Sequence, residues 1–306
     1  MAKQETAGAF GVDVAGVTLA GGRKVNLRLA MTSEGPLDGP AWLLLHGISG
    51  SHFALAAQAA QASDGGWAAS WAGPGKLLDT MTQRVLTANA PGSCYGSTWD
   101  TSADEAPAQS DHLSIRESAR AIVLALEGLG IRRLAGVIGY SYGGYLAGRL
   151  LQDFPQAVPR ALLICSGLAG RGGLAELQAR TDLEDVEGRF RWRMAGLQSH
   201  GLAAWLADRG EQAAQAERAR VRRWAGEFDR RAILRLRAAA EGHRLSALPA
   251  GGQLLLASSD RMFAPDSPLP PQVRVVVTPY GHQSPLLDPL AWHEPIADWL
   301  QARARN

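Results

Sequence analysis

The sequence predicts an α/β fold in which helices flank a mostly parallel central sheet. Short apolar runs alternate with longer helical patterns along most of the chain, as expected for strands and helices in turn. Several of these runs are apolar on both faces, which is typical of parallel strands that helices cover on both sides. The length of 306 residues suits one such domain with an insertion.

Composition and charge exclude several classes of protein. Hydrophobic residues make up 46% and charged residues 20% of the chain, so neither a disordered regulator nor a coiled coil is expected. The 31 basic and 29 acidic residues leave a net charge of +2, and no compact basic run carries interleaved aromatics, so we predict no nucleic-acid partner. No run reaches the ~18 apolar residues of a membrane span, and the polar start does not resemble a signal peptide. We therefore predict a cytoplasmic protein with no membrane partner.

Seven apolar runs are predicted to be strands: residues 25–30, 42–45, 84–88, 134–138, 161–165, 253–257 and 273–277. Three segments with helical periodicity are residues 114–129, 142–154 and 290–305. The first has Ser114 as its N-cap and Glu117 three residues later, and the second stops before Pro155. The alternation indicates an open α/β sheet.

A long segment near the middle of the chain has no strand signal and carries arginine-rich helical patterns. We predict a core domain of residues 1–167 and 249–306, interrupted by a helical lid subdomain of residues 168–248. This lid is also the candidate contact of a homodimer. Its tryptophans, which either pack on the core or line a pocket, are Trp192, Trp205 and Trp224.

Metal ligation and disulfide bonding have no support in the sequence. The two cysteines, Cys94 and Cys165, are too few for a disulfide framework, and both are expected to be inert side chains in buried strands or at their ends. The 7 histidines are scattered and lack paired spacing. The sequence predicts no metal and no other cofactor.

The strongest chemical signal is the run Gly139-Tyr140-Ser141-Tyr142-Gly143, which follows a predicted strand and opens a predicted helix. So tight a strand-to-helix turn strains the serine backbone, and glycines two residues before and after it avoid collisions. Ser141 is therefore the candidate nucleophile. A glycine-rich turn without catalytic function is the alternative.

A serine hydroxyl becomes reactive when an imidazole takes its proton and a carboxylate orients that imidazole. Asp260 and His282 each follow a late predicted strand, which gives the expected order Ser, Asp, His. Asp266 is the alternative acid but lies farther from its strand. His243 and His293 are alternative bases, both expected to be surface or capping histidines.

Acyl chemistry also needs hydrogen-bond donors for the oxygen that becomes negative, each worth about 3 kcal/mol. The backbone N–H of Tyr142, next to the nucleophile, is one candidate. The second is the backbone at Gly47 and Ile48, in the loop after the strand at residues 42–45. His46 in the same loop is expected to pack at the strand end and shape the loop.

Six further motifs carry a family resemblance: residues 73–80 (GPGKLLDT), 94–98 (CYGST), 114–117 (SIRE), 129–134 (LGIRRL), 259–263 (SDRMF) and 279–282 (PYGH). With them the chain resembles the homoserine O-acetyltransferase-like branch of the α/β-hydrolase superfamily, over roughly residues 40–165 and 250–290. The resemblance implies an α/β-hydrolase fold with a helical lid. It also implies an acyl-enzyme on the serine and ping-pong transfer of an acetyl group from acetyl-CoA to an amino-acid hydroxyl.

Three departures from the family pattern concern the substrate pocket. Gln283 follows His282 where the family has an aspartate that holds the substrate ammonium, and a neutral amide loses that charge pairing. The lid lacks the family's Tyr-Arg-Ser tripeptide, and Tyr142 replaces a methionine near the pocket. Gln283 and Tyr140 are therefore candidate substrate-binding residues.

The sequence thus predicts a serine acyl-transfer enzyme that hydrolyses a small ester or thioester. The alternative is an O-acyltransferase that moves an acetyl group from acetyl-CoA to a small hydroxyl acceptor other than homoserine. The expected partner is a small-molecule acyl donor, with acetyl-CoA as one candidate. A catalytically silent binding module is the hypothesis from another class.

Overall fold

The predicted strands form the centre of one mixed β-sheet. This computed structural model describes residues 8–99, 111–265 and 268–302. The strands are β1 (Gly8–Thr18), β2 (Lys24–Glu34), β3 (Ala41–Leu45), β4 (Arg84–Ala88), β5 (Thr98–Trp99), β6 (Gly136–Tyr140), β7 (Ala161–Ile164), β8 (Gly252–Ala257) and β9 (Val273–Val276).

The strand order is β1-β2-β4-β3-β6-β7-β8-β9, and β5 pairs with β2. β2 pairs with β1, β4 and β5 in the antiparallel sense. All neighbouring strands from β4 to β9 in this order are parallel. In the register of the three central strands, Leu45 stands opposite both Ala88 and Gly139. The carboxyl ends of β3 and β6 therefore lie side by side.

The helices are α1 (Ile115–Gly128), α2 (Tyr142–Asp153), α3 (Leu174–Gln178), α4 (Val186–Leu197), α5 (Ala203–Glu227), α6 (Arg230–Glu241), α7 (Ser284–Leu287) and α8 (Leu290–Gln301). α1 begins as predicted, because the Ser114 hydroxyl accepts the backbone N–H of Glu117 at 3.1 Å. α2 ends one residue before Phe154, close to the position predicted from Pro155.

Helices cover both faces of the sheet, as the apolar runs predicted. Along β3, Leu43 and Leu45 pack into the hydrophobic cluster that contains α1 and α2. Trp42 and Leu44 point to the opposite cluster, which contains Trp292 of α8. Alternate side chains of a strand point to opposite faces, so a strand buried on both sides must be apolar throughout. The predicted α/β fold with a mostly parallel sheet is confirmed.

The chain between β7 and β8 forms the helices α3 to α6. An antiparallel bridge between Ala169 and Arg244 joins the two ends of this segment. Trp224 of α5 and Phe228 are each 1% exposed and belong to the same hydrophobic cluster as Leu45 of the sheet. The segment is therefore packed onto the sheet.

Several elements differ from the prediction. β1 was not predicted because it is glycine-rich and mostly solvent-facing, and β2 extends four residues beyond its predicted end. β9 stops at Val276, and the Val277 side chain is 85% exposed. Cys94 was expected in or at the end of a buried strand, but it lies half-buried in the loop between β4 and β5. No helix in the described ranges is long and apolar enough to span a membrane.

Candidate active site

Ser141 occupies the turn between β6 and α2, with a φ of 55° that non-glycine residues rarely adopt. Two hydrogen bonds hold this conformation. The backbone N–H of Ser141 donates to the carbonyl of Ile164 at 2.8 Å, and the hydroxyl of Ser166 donates to the carbonyl of Ser141 at 2.8 Å. The strained turn thus presents the serine hydroxyl at the carboxyl edge of the sheet.

The glycines on either side of the turn allow the backbone to approach its neighbours closely. A Cβ atom on Gly139 would lie 2.1 Å from the carbonyl oxygen of Gly143. A Cβ atom on Gly143 would lie 2.1 Å from the carbonyl oxygen of Leu45 in β3. Any side chain at these positions would therefore displace the turn.

The three residues proposed from the sequence form one hydrogen-bonded chain. Nε2 of His282 lies 2.9 Å from Oγ of Ser141, and Nδ1 of His282 lies 2.9 Å from Oδ2 of Asp260. The exposed fractions of the serine, histidine and aspartate are 8%, 4% and 2%, so the chain is shielded from water. This is the arrangement in which an imidazole can accept a serine proton while a carboxylate fixes its orientation.

Asp260 is held as a carboxylate. Burial alone would raise its pKa, but the hydrogen bond from His282 and its charge lower the pKa below the ordinary value, helped by two backbone donors. These are the N–H groups of Met262 and Phe263, which donate to Oδ1 at 2.7 and 3.2 Å. Asp266, the alternative acid, lies outside the described residues.

The loop after β3 lies against the serine. A Cβ atom on Gly47 would be 3.7 Å from the Cβ of Ser141, and both Gly47 and Ile48 line the cavity in front of the serine. The backbone N–H of Gly50 donates to the carbonyl of Gly47 at 2.9 Å and closes a turn around Ile48. Tyr142 is the first residue of α2, so its N–H has no acceptor within the helix.

Two buried side chains fix this loop. The backbone N–H of Ala90 donates to Nε2 of His46 at 2.9 Å, Oδ1 of Asn89 lies 3.0 Å from the same nitrogen, and Nδ1 of His46 lies 2.8 Å from the carbonyl oxygen of Gly47. Burial lowers the pKa of His46 to about 4, which keeps the ring neutral. Trp224 of α5 donates its Nε1–H to the carbonyl of Ser49 at 2.9 Å.

Tyr140 and Gln283, proposed to contact substrate, both line the cavity. The hydroxyl of Tyr140 donates to the backbone carbonyl of His282 at 2.9 Å, and its ring stacks on the imidazole with centroids 5.5 Å apart. Burial raises the pKa of Tyr140 well above its ordinary value, so the hydroxyl stays protonated. Gln283 ends the 3-10 turn Gly281–Gln283 that presents His282.

The cavity in front of Ser141 has a volume of about 500 Å³. Trp192 of α4 lines it, as does Trp67, whose Nε1–H donates to the carbonyl of Ser51 at 3.1 Å. The ring of Tyr142, expected near the pocket, is only 1% exposed and packs in the core beside Tyr145, with ring centroids 6.1 Å apart. That expectation was wrong, because the first side chain of α2 points into the sheet–helix interface.

Comparison with known proteins agrees with this geometry. A family model described as alpha/beta hydrolase fold matches residues 40–238. The chain belongs to this family. A homoserine O-acetyltransferase from Pelobacter propionicus is 35% identical over 131 residues, which are 41% of this chain and 35% of that protein. The chain spans about a third of the length of the curated relatives that it matches.

Solved structures show the same fold at low sequence identity. A homoserine O-acetyltransferase from Bacillus anthracis has a TM-score of 0.76 at 15% identity, over 98% of this chain and 99% of that chain. An acetylester hydrolase from Corynebacterium glutamicum has a TM-score of 0.72 at 16% identity, over 98% of this chain and 97% of that chain. The resemblance to the α/β-hydrolase superfamily is confirmed.

Sequence reasoning missed the charged lining of the cavity in this α/β-hydrolase. The residues are Asp64, Arg171, Arg193, Glu217, Arg220 and Arg237. None of them lies at a predicted strand end or in a motif, so no local pattern could identify them. Their proximity results from folding the segment between β7 and β8 over the sheet.

Two histidines were also misjudged or overlooked. His200, in the turn between α4 and α5, has its ring centroid 6.2 Å from that of His282 and lines the cavity. His243 was expected at the surface or as a cap, but it is only 2% exposed, and neither ring nitrogen has a hydrogen-bond partner. It packs against Tyr145 with ring centroids 4.8 Å apart, and burial lowers its pKa to about 4.

One group of potential metal ligands occurs among the described residues. Cys165, Asp260 and His282 place their ligand atoms within 4.8 Å of one another, and all three are buried. Burial raises the pKa of the Cys165 thiol well above its ordinary value, with the charge of Asp260 adding to the effect, so a thiolate ligand is disfavoured. Both histidine nitrogens already hydrogen-bond Asp260 and Ser141. The group is part of the hydrogen-bonded chain.

Proposed function

We propose that this α/β-hydrolase is a serine enzyme that hydrolyses a small ester or thioester through an acyl-enzyme on Ser141. The observation that carries the proposal is the position of His282, 2.9 Å from Ser141 on one side and 2.9 Å from Asp260 on the other. In this arrangement the imidazole can remove the serine proton while the carboxylate stabilises the resulting imidazolium.

In the acylation step, Oγ of Ser141 attacks the carbonyl carbon of the substrate as its proton moves to Nε2 of His282. The tetrahedral intermediate carries its negative charge on the former carbonyl oxygen. When this intermediate collapses, the bond to the alcohol or thiol breaks, and His282 returns the proton to the leaving group. The carboxylate of Asp260 stabilises the imidazolium between the two transfers.

The negative oxygen needs donors, for which we propose the backbone N–H groups of Tyr142 and Ile48, with Gly47 allowing the loop to approach. The hydrogen bonds that close the turn between Gly47 and Gly50 support this assignment, since they hold the donor loop rigid before substrate binds. Deacylation repeats the sequence with water as the nucleophile, activated by His282.

Acyl transfer to a small hydroxyl acceptor is the second candidate. It is favoured by the relatives, which are named as homoserine O-acetyltransferases or homoserine O-succinyltransferases, and acetyl-CoA is then the proposed donor. Gln283 lines the cavity where an acceptor would meet the acyl-enzyme, and its neutral amide favours an acceptor other than homoserine. Tyr140 is proposed to border the same space. The cytoplasmic location and a homodimer formed through residues 168–248 stay predictions.

The test is a pre-steady-state assay with 4-nitrophenyl acetate. We expect a burst of nitrophenol equal to the enzyme concentration, because acylation precedes slower deacylation, and no burst from Ser141→Ala. A wild-type enzyme without burst or turnover on this and longer acyl esters would contradict the proposal and favour a binding module.

Partitioning of the acyl-enzyme distinguishes the two candidate functions. For a hydrolase, the acyl-enzyme decays at one rate whether or not alcohols such as homoserine and serine are added. For a transferase, the decay accelerates with the acceptor, and the acylated acceptor accumulates.

A further inference from the structure

Two arginines on one wall of the cavity have no acidic partner among the described residues. Arg237 lies on α6 and Arg171 lies just after β7, and both line the cavity that contains Ser141 and His282. No described carboxylate lies within the 4.0 Å of an ion pair with either guanidinium. The charge of the exposed Glu241, one turn further along α6, acts on Arg237 without forming an ion pair.

Arg237 is the more deeply placed of the two. Burial lowers its pKa, and the charge of Arg171 adds to this effect. Its Nε atom is buried and has no hydrogen-bond partner in the part of the chain that the structure describes. Arg171 uses one nitrogen to donate to the backbone carbonyl of Met262 at 3.1 Å. Among the described residues, the two guanidiniums have one hydrogen-bond acceptor between them, the neutral carbonyl of Met262. Two neighbouring cations repel each other, so this wall of the cavity favours a bound anion.

Elsewhere in the cavity lining, two arginines are matched by two acids, Asp64 and Glu217. There, Arg220 pairs with Glu217 at 2.7 Å. Arg193 lies over the ring of Trp224, with its guanidinium carbon 5.1 Å from the ring centroid, and the charges of Arg220 and Asp64 act on it in opposite directions. Among the described lining residues, the two acids offset the formal charges of Arg193 and Arg220, so the excess positive charge comes from Arg171 and Arg237.

This wall is connected to the reacting residues through aromatic rings. Phe263 packs against His282 with ring centroids 5.6 Å apart and against Tyr145 with centroids 6.1 Å apart. The charge of Arg237 acts on the hydroxyl of Tyr145. A substrate at Ser141 can extend past Phe263 towards the two arginines within the same cavity.

We propose that Arg171 and Arg237 form a subsite for an anionic group, a carboxylate or a phosphate, carried by the substrate that reacts with Ser141. This inference rests on the proposed serine chemistry and adds the charge of its substrate. A guanidinium pair can share the oxygens of such a group through charge-assisted hydrogen bonds.

The test compares two esters with the same aryl leaving group and the same acyl chain length. Mono-4-nitrophenyl adipate ends in a carboxylate, and 4-nitrophenyl hexanoate ends in a methyl group. We expect the ratio of their kcat/KM values to fall about tenfold to a hundredfold in Arg237→Met, as for loss of a charge-assisted hydrogen bond. Arg171→Met should lower the same ratio, and Arg237→Lys should restore part of it.

A second arm tests a phosphate on the leaving group. Hydrolysis of acetyl-CoA is followed by release of the free thiol and compared with hydrolysis of S-phenyl thioacetate in the same variants. A selective loss with the adipate ester assigns the subsite to an acyl-chain carboxylate. A selective loss with acetyl-CoA assigns it to a phosphate of the leaving group.

The control variant is Arg231→Met, which removes an exposed arginine of the same helix that does not line the cavity. Its ratios should match those of the wild type. The proposal is overturned if neither ratio changes in Arg171→Met, Arg237→Met or the double variant while these proteins still hydrolyse the neutral esters. Failure of the serine chemistry would look different, since wild type would then not hydrolyse any ester in a Ser141-dependent way.

Discussion

Single residues set the protonation of the site. Because the carboxylate of Asp260 accepts from Nδ1 of His282 at 2.9 Å, the neutral ring leaves Nε2 free to accept the proton of Ser141. The two backbone N–H groups on Oδ1 keep the carboxylate turned towards the ring. Orientation and charge are thus supplied by the same residue.

Replacing Asp260 by asparagine should reverse the tautomer without changing the shape of the site. The amide donates to Nδ1, the proton then sits on Nε2, and the imidazole can no longer act as a base. We expect kcat for 4-nitrophenyl acetate to fall by on the order of 10³- to 10⁴-fold. Asp298→Asn, which removes a half-exposed carboxylate bonded to Arg274, is the control and should keep full activity. Equal rates for the two variants would disprove the assignment of Asp260.

Gly143 should tolerate no side chain. In Gly143→Ala the new methyl group collides with the carbonyl of Leu45, so we expect the free energy of unfolding to decrease by about 3 kcal/mol. Gly226→Ala in α5 is the matched control, because a Cβ atom there would meet nothing within 4 Å, and alanine should stabilise the helix by up to about 1 kcal/mol. Chemical denaturation measures both. Similar stabilities of the two variants would show that the turn relaxes.

At this scale the sequence could predict residues that stand at strand ends. Ser141, Asp260 and His282 each follow a strand, and parallel strands bring their carboxyl ends to one edge, so local patterns sufficed. Arg171 and Arg237 could not be predicted, because their place depends on how α6 packs over the sheet. His243 was wrongly expected at the surface because a polar residue between a helix and a strand gives no local sign of burial.

Among the elements, α5 is joined to the loop that follows β3. The hydrogen bond from Trp224 to the carbonyl of Ser49 lies within two residues of the proposed donor at Ile48. The same ring stacks on Phe228, with centroids 5.0 Å apart, which anchors it in the core. The helix therefore helps to position a loop that belongs to the sheet.

Trp224→Phe keeps an aromatic ring at this position but removes the indole N–H. The Ser49 carbonyl then loses its buried donor, the turn around Ile48 loosens, and oxyanion stabilisation weakens. We expect kcat to fall about tenfold with KM nearly unchanged, because the donor acts on the transition state more than on bound ester. The measurement is a full kinetic profile well below the melting temperature.

Trp205→Phe is the control for this change. Trp205 is also in α5, but its buried Nε1 has no partner, so the same substitution removes no hydrogen bond. Its kcat should equal that of the wild type. If the two variants show the same kcat, or if Trp224→Phe changes only KM, the indole does not position the loop.

For the whole molecule, buried neutral histidines link stability to pH. Burial lowers the pKa values of His46 and His243 from 6.5 to about 4, so the folded state resists protonation that the unfolded chain accepts. As pH falls from 6.5 towards 4, the unfolded state binds more protons, and the free energy of unfolding decreases. Each histidine contributes a loss of roughly 3 kcal/mol across this window, and below it the contribution is constant.

His243→Leu should remove one of these contributions. The leucine fills an apolar site in which neither imidazole nitrogen has a partner, and it cannot take up a proton. We expect the pH dependence of the unfolding free energy between pH 6.5 and 4 to become shallower by about one proton. Urea denaturation across this range measures the slope. An unchanged slope would mean that His243 is not buried in its neutral form.

The overall architecture was predictable because it follows from the hydrophobic periodicity of the segments and from the order of strands and helices along the chain. Runs apolar on both faces indicated parallel strands, and their alternation with helices indicated the layers. The outer strand β1 was missed because an edge strand exposes more of its surface, which removes the apolar run that identifies a central strand, and β5 has only two residues, too few to show a period. The internal arrangement of α3 to α6 could not be predicted from helical periodicity, which does not say which faces meet.

The bridge between Ala169 and Arg244 brings together the two points at which the segment between β7 and β8 leaves the sheet and returns to it. Exchanging the segment between these two points, by natural variation or in the laboratory, can replace the helices α3 to α6 that cover the cavity while the strand order and the serine turn are retained. The arginines proposed to select an anionic substrate, Arg171 and Arg237, and the residues proposed to cleave it are therefore encoded in different stretches of the gene.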